Sequence, residues 1–459
     1  VSCRRKEQIQ GDLYYEGKQD ILRRQRTIIG ADGQIQVVNN LPNNRLVDNQ
    51  FALMVDQKTN YLVGKPISLN CENKAYVEVL NQVFNRRFYR LLKYICEDAL
   101  KGGVGWLYPF YNDRGDLDFK HFPAHEILPF WADDDHTVLD CAVRLYTQEV
   151  WNGFQKETVE RVEIFKPDGL FRYVFENDML IPDVEGGERE DYFTVSEGEE
   201  TTSLNWDRIP LIPFKYNKQE IPLLRRVKNL QDAINTMISD FENNMQEDAR
   251  NTILILKNYD GQDLGEFRRN LATYGAVKVW EDGEVETLTV EVKAENYKAI
   301  LEQLKRALIN NARGYDAKDD RMGNNPNQMN IQSMYSDIDL DANGMETEFQ
   351  AAFEELLWFI NQDLANKGKG DFEQEEVTVI FNRDILINES EAIENCTKSG
   401  GIISNETIVE QHPWTKDADA ELERLKKEKE EKMADYMGAF PPRPAAGSSS
   451  KNDRDQGRD

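Results

Sequence analysis

Histidine and cysteine are scarce: the 459-residue chain holds four of the first and five of the second. Four imidazoles offer little acid–base chemistry near neutral pH, and no Ser/His/Asp, Cys/His or H-E-x-x-H arrangement accompanies them. The expectation is a protein that is not an enzyme and needs no cofactor. Cys3, Cys71, Cys96, Cys141 and Cys396 are odd in number, widely spaced and free of any C-x-x-C pair, which argues against a disulfide framework or a zinc site and fits a reducing cytoplasm. Nowhere do 18 uncharged apolar residues run together, and Val1-Ser-Cys-Arg-Arg-Lys-Glu-Gln has no apolar core of the signal-peptide kind, so membrane insertion is not expected. Basic residues are outnumbered 56 to 83, a net charge of -27. That excludes a surface which grips nucleic acid throughout. It suits solubility, and equally a channel for sliding DNA, because tight phosphate neutralisation would make the polymer stick.

The chain does have apolar material, 40% hydrophobic and 10% aromatic, enough for sizeable cores in roughly two to four units. The expected class is α+β, predominantly helical. Its organising stretch is Leu223 to Gly314, read as helix, small β-containing insert, helix. Val227, Leu230, Ile234, Met237 and Phe241 step by three and four and draw one stripe along the first arm, whose far side reads as charged. The second arm, Lys293 to Gly314, repeats the design with Tyr297, Ile300, Leu301, Leu304 and Leu308. Each arm spans roughly 30 to 45 Å at helical rise, with the insert at the tip. Stripes this narrow bury too little alone, which points to packing against further copies in a ring; an ordinary hairpin inside a monomer is the alternative.

Before the stalk, the spacing predicts a helix over residues 5–26, a second from Arg45 to Leu62 and a third from Lys74 to Lys101. Short apolar runs follow, Val104 to Tyr111, Leu117 to Phe122, Ile127 to Trp131, Leu139 to Trp151, Arg161 to Phe165 and Leu170 to Phe175, separated by turn residues as in a β-rich lobe. Glu185 to Glu200 reads as a solvated acidic loop. Inside the insert, Thr252 to Leu256 reads as a strand, Leu264 to Tyr274 as a short helix, and Ala276 to Trp280 with Val285 to Val292 as a hairpin turning at Asp282-Gly283. Tyr315 to Asn330, rich in Gly, Asn and Pro, reads as a mobile loop. A helix resumes near Ile331 and is perturbed near Asn343-Gly344. Val377 to Phe381 reads as a strand, the chain is helical again from Glu389, and residues 441–459 have the composition of a disordered tail.

Several chemical motifs fail on inspection. Val63-Gly-Lys-Pro-Ile-Ser has neither the glycine spacing nor the backbone donors of a phosphate loop. Pro123 between His121 and His125 argues against one helical turn presenting both to a metal. Asp339, Asp341, Asn343 and Gly344 match the first half of a calcium loop, but Gln350 stands where the bidentate carboxylate belongs, so this is a weak metal candidate and an acidic helix bend is favoured. The acidic clusters, Asp133-Asp134-Asp135 among them, leave open a metal-dependent nuclease; they fall in turns, where solvation explains them.

Tyr14-Tyr-Glu-Gly, Asn43-Asn-Arg-Leu-Val-Asp-Asn-Gln-Phe-Ala, Val55-Asp, Tyr61-Leu-Val-Gly-Lys-Pro-Ile, Ile209-Pro-Leu-Ile-Pro-Phe and Leu230-Gln-Asp-Ala-Ile-Asn through Ser239 follow one another in order. Together they resemble the portal proteins of tailed bacteriophages, of the siphophage type, from about residue 12 to residue 435. The resemblance implies a ring, usually of twelve subunits, at one capsid vertex, assembled in the host cytoplasm, through which double-stranded DNA is packaged and later ejected. It implies partners as well: the terminase large subunit that supplies the energy, a head-tail adaptor, and capsid and scaffolding proteins. Carried over, residues 1–222 and 331–388 are the wing, 223–251 and 293–314 the stem helices, 252–292 the clip, 315–330 the tunnel loop and 389–440 the crown. Lys298, Glu302, Lys305, Arg306 and Arg313 on the second arm, with Lys318 and Arg321 in the loop, become candidates to face DNA; ion pairs between subunits are the competing role for those on the arm. Glu266, Arg268, Arg269, Asp282 and Gly283 become candidates for docking partners at the clip. A nuclease, or a tail ring protein without a DNA-sized channel, are the readings from other classes.

Overall fold

The computed structural model describes residues 2–29, 33–39, 41–152, 154–183, 187–197, 200–248, 253–257, 284–288, 294–316, 328–383, 389–415 and 418–439. Its helices are α1 (Cys3–Tyr15), α2 (Gln50–Val63), α3 (Lys74–Val83), α4 (Arg86–Gly102), α5 (Leu224–Asp248), α6 (Ala294–Ala312), α7 (Gln328–Asn366), α8 (Glu389–Lys398), α9 (Asn405–Glu410) and α10 (Ala418–Ala439). The strands are β1 (Thr27–Ile29), β2 (Ile35–Val37), β3 (Ser68–Asn70), β4 (Val104–Tyr111), β5 (Leu117–Phe122), β6 (Ile127–Trp131), β7 (Leu139–Asn152), β8 (Gln155–Lys166), β9 (Gly169–Glu176), β10 (Met179–Pro182), β11 (Arg189–Glu190), β12 (Phe193–Glu197), β13 (Glu200–Leu204), β14 (Ile212–Lys215), β15 (Ile253–Lys257), β16 (Glu284–Leu288) and β17 (Thr378–Ile380). Helix outweighs strand, 49% to 23%, as the α+β expectation requires.

The lobe is two antiparallel sheets. One runs β10-β9-β8-β7-β6, with β11 also on β9; the other runs β14-β4-β5. Between them Val104, Trp106, Phe122, Ile127, Ala142 and Phe165 close a core from which water is excluded. The runs expected at β4, β5 and β6 hold to the residue, because each alternates toward that core between turn residues. A second core gathers on α7, where Phe353 meets Phe84, Phe88, Phe214 and Phe381 edge-on. β14 thus joins the lobe to the long helix just before the chain enters α5.

Four expectations are corrected. The helix over residues 5–26 ends at Tyr15. The helix expected over Lys74 to Lys101 is two: Asn85 accepts hydrogen bonds from the Arg87 and Phe88 amides and restarts the chain as α4, whose end at Gly103 is left-handed because a Cβ there would collide with the Glu220 carbonyl. The helix expected from Arg45 begins only at Gln50. And α7 passes through Asn343-Gly344 without interruption, so neither the bend nor a calcium loop exists there. The acidic stretch beyond Glu185 is partly built as well, with β11 and the β12–β13 hairpin.

The chain divides into two units, Val1–Lys318 with Met334–Ile385, and Asp319–Ser333 with Leu386–Asp459. In the second, Ser404 caps α9 by accepting from the Thr407 amide, and α10 carries a dense run of Glu and Lys from Glu421 to Lys432.

Candidate functional site: a strapped two-helix stem

α5 and α6 pack along each other with the β15–β16 pair between them in sequence, as the stalk reading requires. Their apolar stripe is sealed at one end and open toward the other. Val227, Ile234 and Leu308 are fully buried, Leu230, Met237, Leu301 and Leu304 half so, and Ile300 is exposed. Nearer the insert the seam narrows to Phe241 tilted against Tyr297, centroids 5.1 Å apart, with Asn244 donating to the Tyr297 hydroxyl at 3.1 Å.

The other face of α5 carries the charged Lys228, Asp232 and Asp240, as its sequence suggested, and beside them a buried ladder of neutral polar groups. Gln231, Asn235, Ser239 and Asn243 lie four residues apart and are 0% exposed. Against them runs the extended segment 43–49. The amide of Asn44 donates to Asn243 Oδ1 at 2.7 Å, that of Leu46 to Ser239 Oγ at 3.0 Å and that of Asp48 to Asn235 Oδ1 at 3.0 Å. The match is geometric: four helical residues advance roughly 6 Å and two extended residues roughly 6.6 Å, so alternate amides of the segment meet successive rungs. Gln231 finishes the ladder by accepting from the Phe51 amide, one of the orphan donors at the start of α2, while Asn49 accepts from Ala52. Gln231 also donates to the Asp48 carbonyl at 2.7 Å. The segment is therefore a strap that satisfies its backbone on side chains instead of a sheet.

Two charged contacts complete the strapping. Lys305 of α6 pairs with Asp48 at 2.6 Å, so this channel candidate is tied to the strap within its own chain. Where α6 ends, Asp341 is buried and accepts from Lys58 at 2.8 Å, Tyr216 at 2.6 Å and Arg226 at 3.1 Å, with Arg313 3.7 Å away. Burial pushes the Asp341 carboxyl up, but the Lys58 charge and these donors outweigh it and hold the group below the usual carboxylate range. Lys58 also donates to the Arg313 carbonyl at 3.0 Å, and Gln57 to that of Tyr315 at 2.8 Å, which fixes where the chain leaves the stem.

The same contacts dispose of the weak metal candidate. Arg383 donates to Asp339 at 2.8 Å and to Asn343 at 2.5 Å, and Tyr61 donates to Asp339 at 2.5 Å, so the three oxygen ligands are spent on protein donors. Asp133 is likewise occupied, capping its own turn through the Thr137 and Val138 amides, which lower its pKa to about 2. Among the described residues no group of His, Cys, Asp or Glu could hold a metal ion. His121 and His125 end a chain of ion pairs, His121–Asp98–Lys101–Asp12–His125, with contacts of 2.8, 2.8, 3.0 and 2.9 Å that pin α1 to α4.

Lys298 and Glu302 lie exposed on α6, 4.0 Å apart, and Arg306 is exposed beside them. Lys318, Arg321, Glu266, Arg268, Arg269, Asp282 and Gly283 lie outside the described residues, as does the strand expected at 276–280; β16 pairs with β15. The ladder escaped a reading built on apolar periodicity, although Gln, Asn, Ser and Asn at every fourth position were its signal.

A two-helix stem strapped by residues 43–49 and joined to a β-rich lobe is a scaffold whose role comes from its relatives. The chain belongs to the family described as "Phage portal protein, SPP1 Gp6-like", whose profile matches residues 4–435. It is 30% identical over 423 residues to the portal protein of Bacillus phage SPP1, covering 92% of this chain and 83% of that one. It is 27% identical over 461 residues to the portal protein of Clostridium phage phiCD119, covering 96% and 97%. A solved chain from the neck of a native GTA particle is similar at a TM-score of 0.36 and 12% identity, covering 78% and 87%, a likeness too distant to argue from. Among the described residues no helix is long and apolar enough to cross a membrane.

Proposed function

We propose that copies of this chain form a ring at one capsid vertex, with α5 and α6 as the stem around a channel for double-stranded DNA. The observation that carries the reading is the half-open seam: Leu230, Met237, Leu301 and Leu304 keep apolar surface that one subunit alone leaves wet. Neighbouring stems would cover it. Residues 252–292 would form the clip that meets the terminase large subunit and later the head-tail adaptor, residues 315–327, up to the start of α7, the loop into the bore, and residues 389–440 the crown. Capsid and scaffolding proteins would surround the wing, residues 1–222 and 331–388. Lys298, Glu302 and Arg306, mixed in sign and exposed, would give DNA weak contacts that favour sliding.

Sizing with negative-stain microscopy of the purified chain tests this. Rings with an open hole of duplex width are expected. A stable monomer, or a ring closed at its centre, would end the channel reading.

A further inference from the structure

The outer half of the β7–β8 hairpin stands without neighbours. β6 pairs β7 only from Leu139 to Arg144, and β9 pairs β8 only from Glu160 to Lys166, so residues 147–152 and 155–159 have only each other among the described strands. A two-stranded ribbon alone in water is marginal. This one ends in Trp151, 72% exposed, and Phe154, 103% exposed. So much aromatic surface on one tip is a costly thing to leave in water.

At the inner end of the same hairpin is a cavity of about 290 Å³ walled by Tyr108, Phe122, Phe165 and Tyr192, with the cations Lys120, Arg144 and Arg172 and the carboxylates Glu163, Glu190 and Asp191 around them. Sites for drug-sized ligands run from about 300 Å³ upward, so this one lies at their lower edge and admits a large side chain. Its wall is preset. The Arg144 guanidinium lies 3.9 Å from the ring centres of both Phe122 and Tyr146 and is held by Glu126 and Glu163. Lys120 makes no ion pair and the Tyr108 hydroxyl no hydrogen bond among the described residues, while the Lys120 ammonium sits 5.5 Å from the Phe122 centroid. Aromatic walls with a spare cation suit another aromatic ring.

The hairpin cannot serve itself. From Glu163 at the cavity to Lys156 beside the tip, β8 runs roughly 23 Å at strand rise. We infer that the Trp151–Phe154 tip docks in the Tyr108–Phe122–Tyr192 cavity of the adjacent copy of this chain. Each subunit then offers one knob and one hole, which is a head-to-tail contact, the kind that closes a ring. A shell protein receiving the tip would leave the cavity unexplained. The inference rests on the ring reading above.

The test is a Cys3→Ser chain carrying both Lys156→Cys beside the tip and Glu190→Cys at the cavity rim, treated as assembled rings with a short bismaleimide and run on a denaturing gel, with each single variant as control. A ladder of subunit multiples is expected from the double variant alone. Lys156 and Glu190 are exposed, and their replacement leaves Trp151, Phe154 and Lys120 in place. Intact rings without a ladder would overturn the inference and leave the ring reading standing; no rings from the unsubstituted chain would overturn both. A second variant, Trp151→Ser with Phe154→Ser, should raise the protein concentration at which rings dissociate by roughly tenfold or more, as expected for an aromatic anchor. Unchanged rings that no longer enter capsids would place the tip on the shell and refute the contact between copies.

Discussion

Replacing Asp341 by Asn should destabilise this protein out of proportion to one removed charge. The substitution keeps the volume but leaves the Lys58 ammonium, whose side chain is 4% exposed, with neutral acceptors alone, the Arg313 carbonyl and the one oxygen of the new amide. Breaking a buried ion pair from one side costs about 3–5 kcal/mol, and Tyr216 and Arg226 must share that single oxygen in addition. Lys58→Met should cost less, about 1–2 kcal/mol, because Asp341 keeps Arg226 and Tyr216 as donors. The double variant Lys58→Met, Asp341→Asn should then be milder than the sum, with a coupling of about 2 kcal/mol. Urea unfolding at neutral pH and one fixed protein concentration measures all four corners, the concentration being held because assembly adds to apparent stability. The folded-state pKa of Asp341 is depressed, so its contribution is present above the ordinary carboxylate pKa and lost as pH falls through the folded value. The acid limb of the stability profile, below about pH 4, should therefore flatten in Asp341→Asn. A cost under about 1 kcal/mol, or strict additivity in the cycle, would refute the hub as described.

Three further outcomes follow from the same contacts. Ser239→Ala and Asn235→Ala each orphan a strap amide and should cost about 1–3 kcal/mol, with hydrogen exchange quickening at Leu46 and at Asp48 respectively; unchanged protection there would count against the ladder. Ile234→Asp places an unpaired charge where exposure is nil, at about 3 kcal/mol or more, and rings should be scarce by sizing. The His125 pKa is raised by its hydrogen bond to Asp12, so its share of stability is present at low pH and lost as pH rises through the folded value; protection of α1 should be greater near pH 6 than near pH 8. His125→Gln should erase that difference.

What the sequence displayed was whatever depends on neighbours in sequence. The runs that became β4, β5 and β6 are short and apolar between turn residues, and the stripes of α5 and α6 repeat every turn, so local pattern revealed both. The strap was hidden because Leu46, Phe51, Met54 and Val55 continue a helical spacing, while the groups that hold residues 44–48 extended come from α5, 187 to 199 residues away. The break at Asn85 was legible in principle, since Asn is a strong helix starter, yet the apolar spacing runs across it. The bend expected at Asn343-Gly344 failed for the opposite reason: Arg383 and Lys58 reach those carboxylates and amides from elsewhere and keep the helix regular.

The ladder has a property that ordinary core packing does not, which is parity. Its rungs Asn235, Ser239 and Asn243 are chemically interchangeable acceptors, so they specify a repeat but not an origin; the origin comes from Phe51, sealed at 0% exposure where the strap becomes α2. Lengthening the strap by two residues would hand each amide to the next rung and keep every second one bonded. Lengthening it by one would turn the other set of amides toward α5 and face the ladder with carbonyls and side chains. Odd and even insertions between Arg45 and Asp48 should thus behave as different kinds of mutation, and the stem would tolerate drift in strap length only in steps of two.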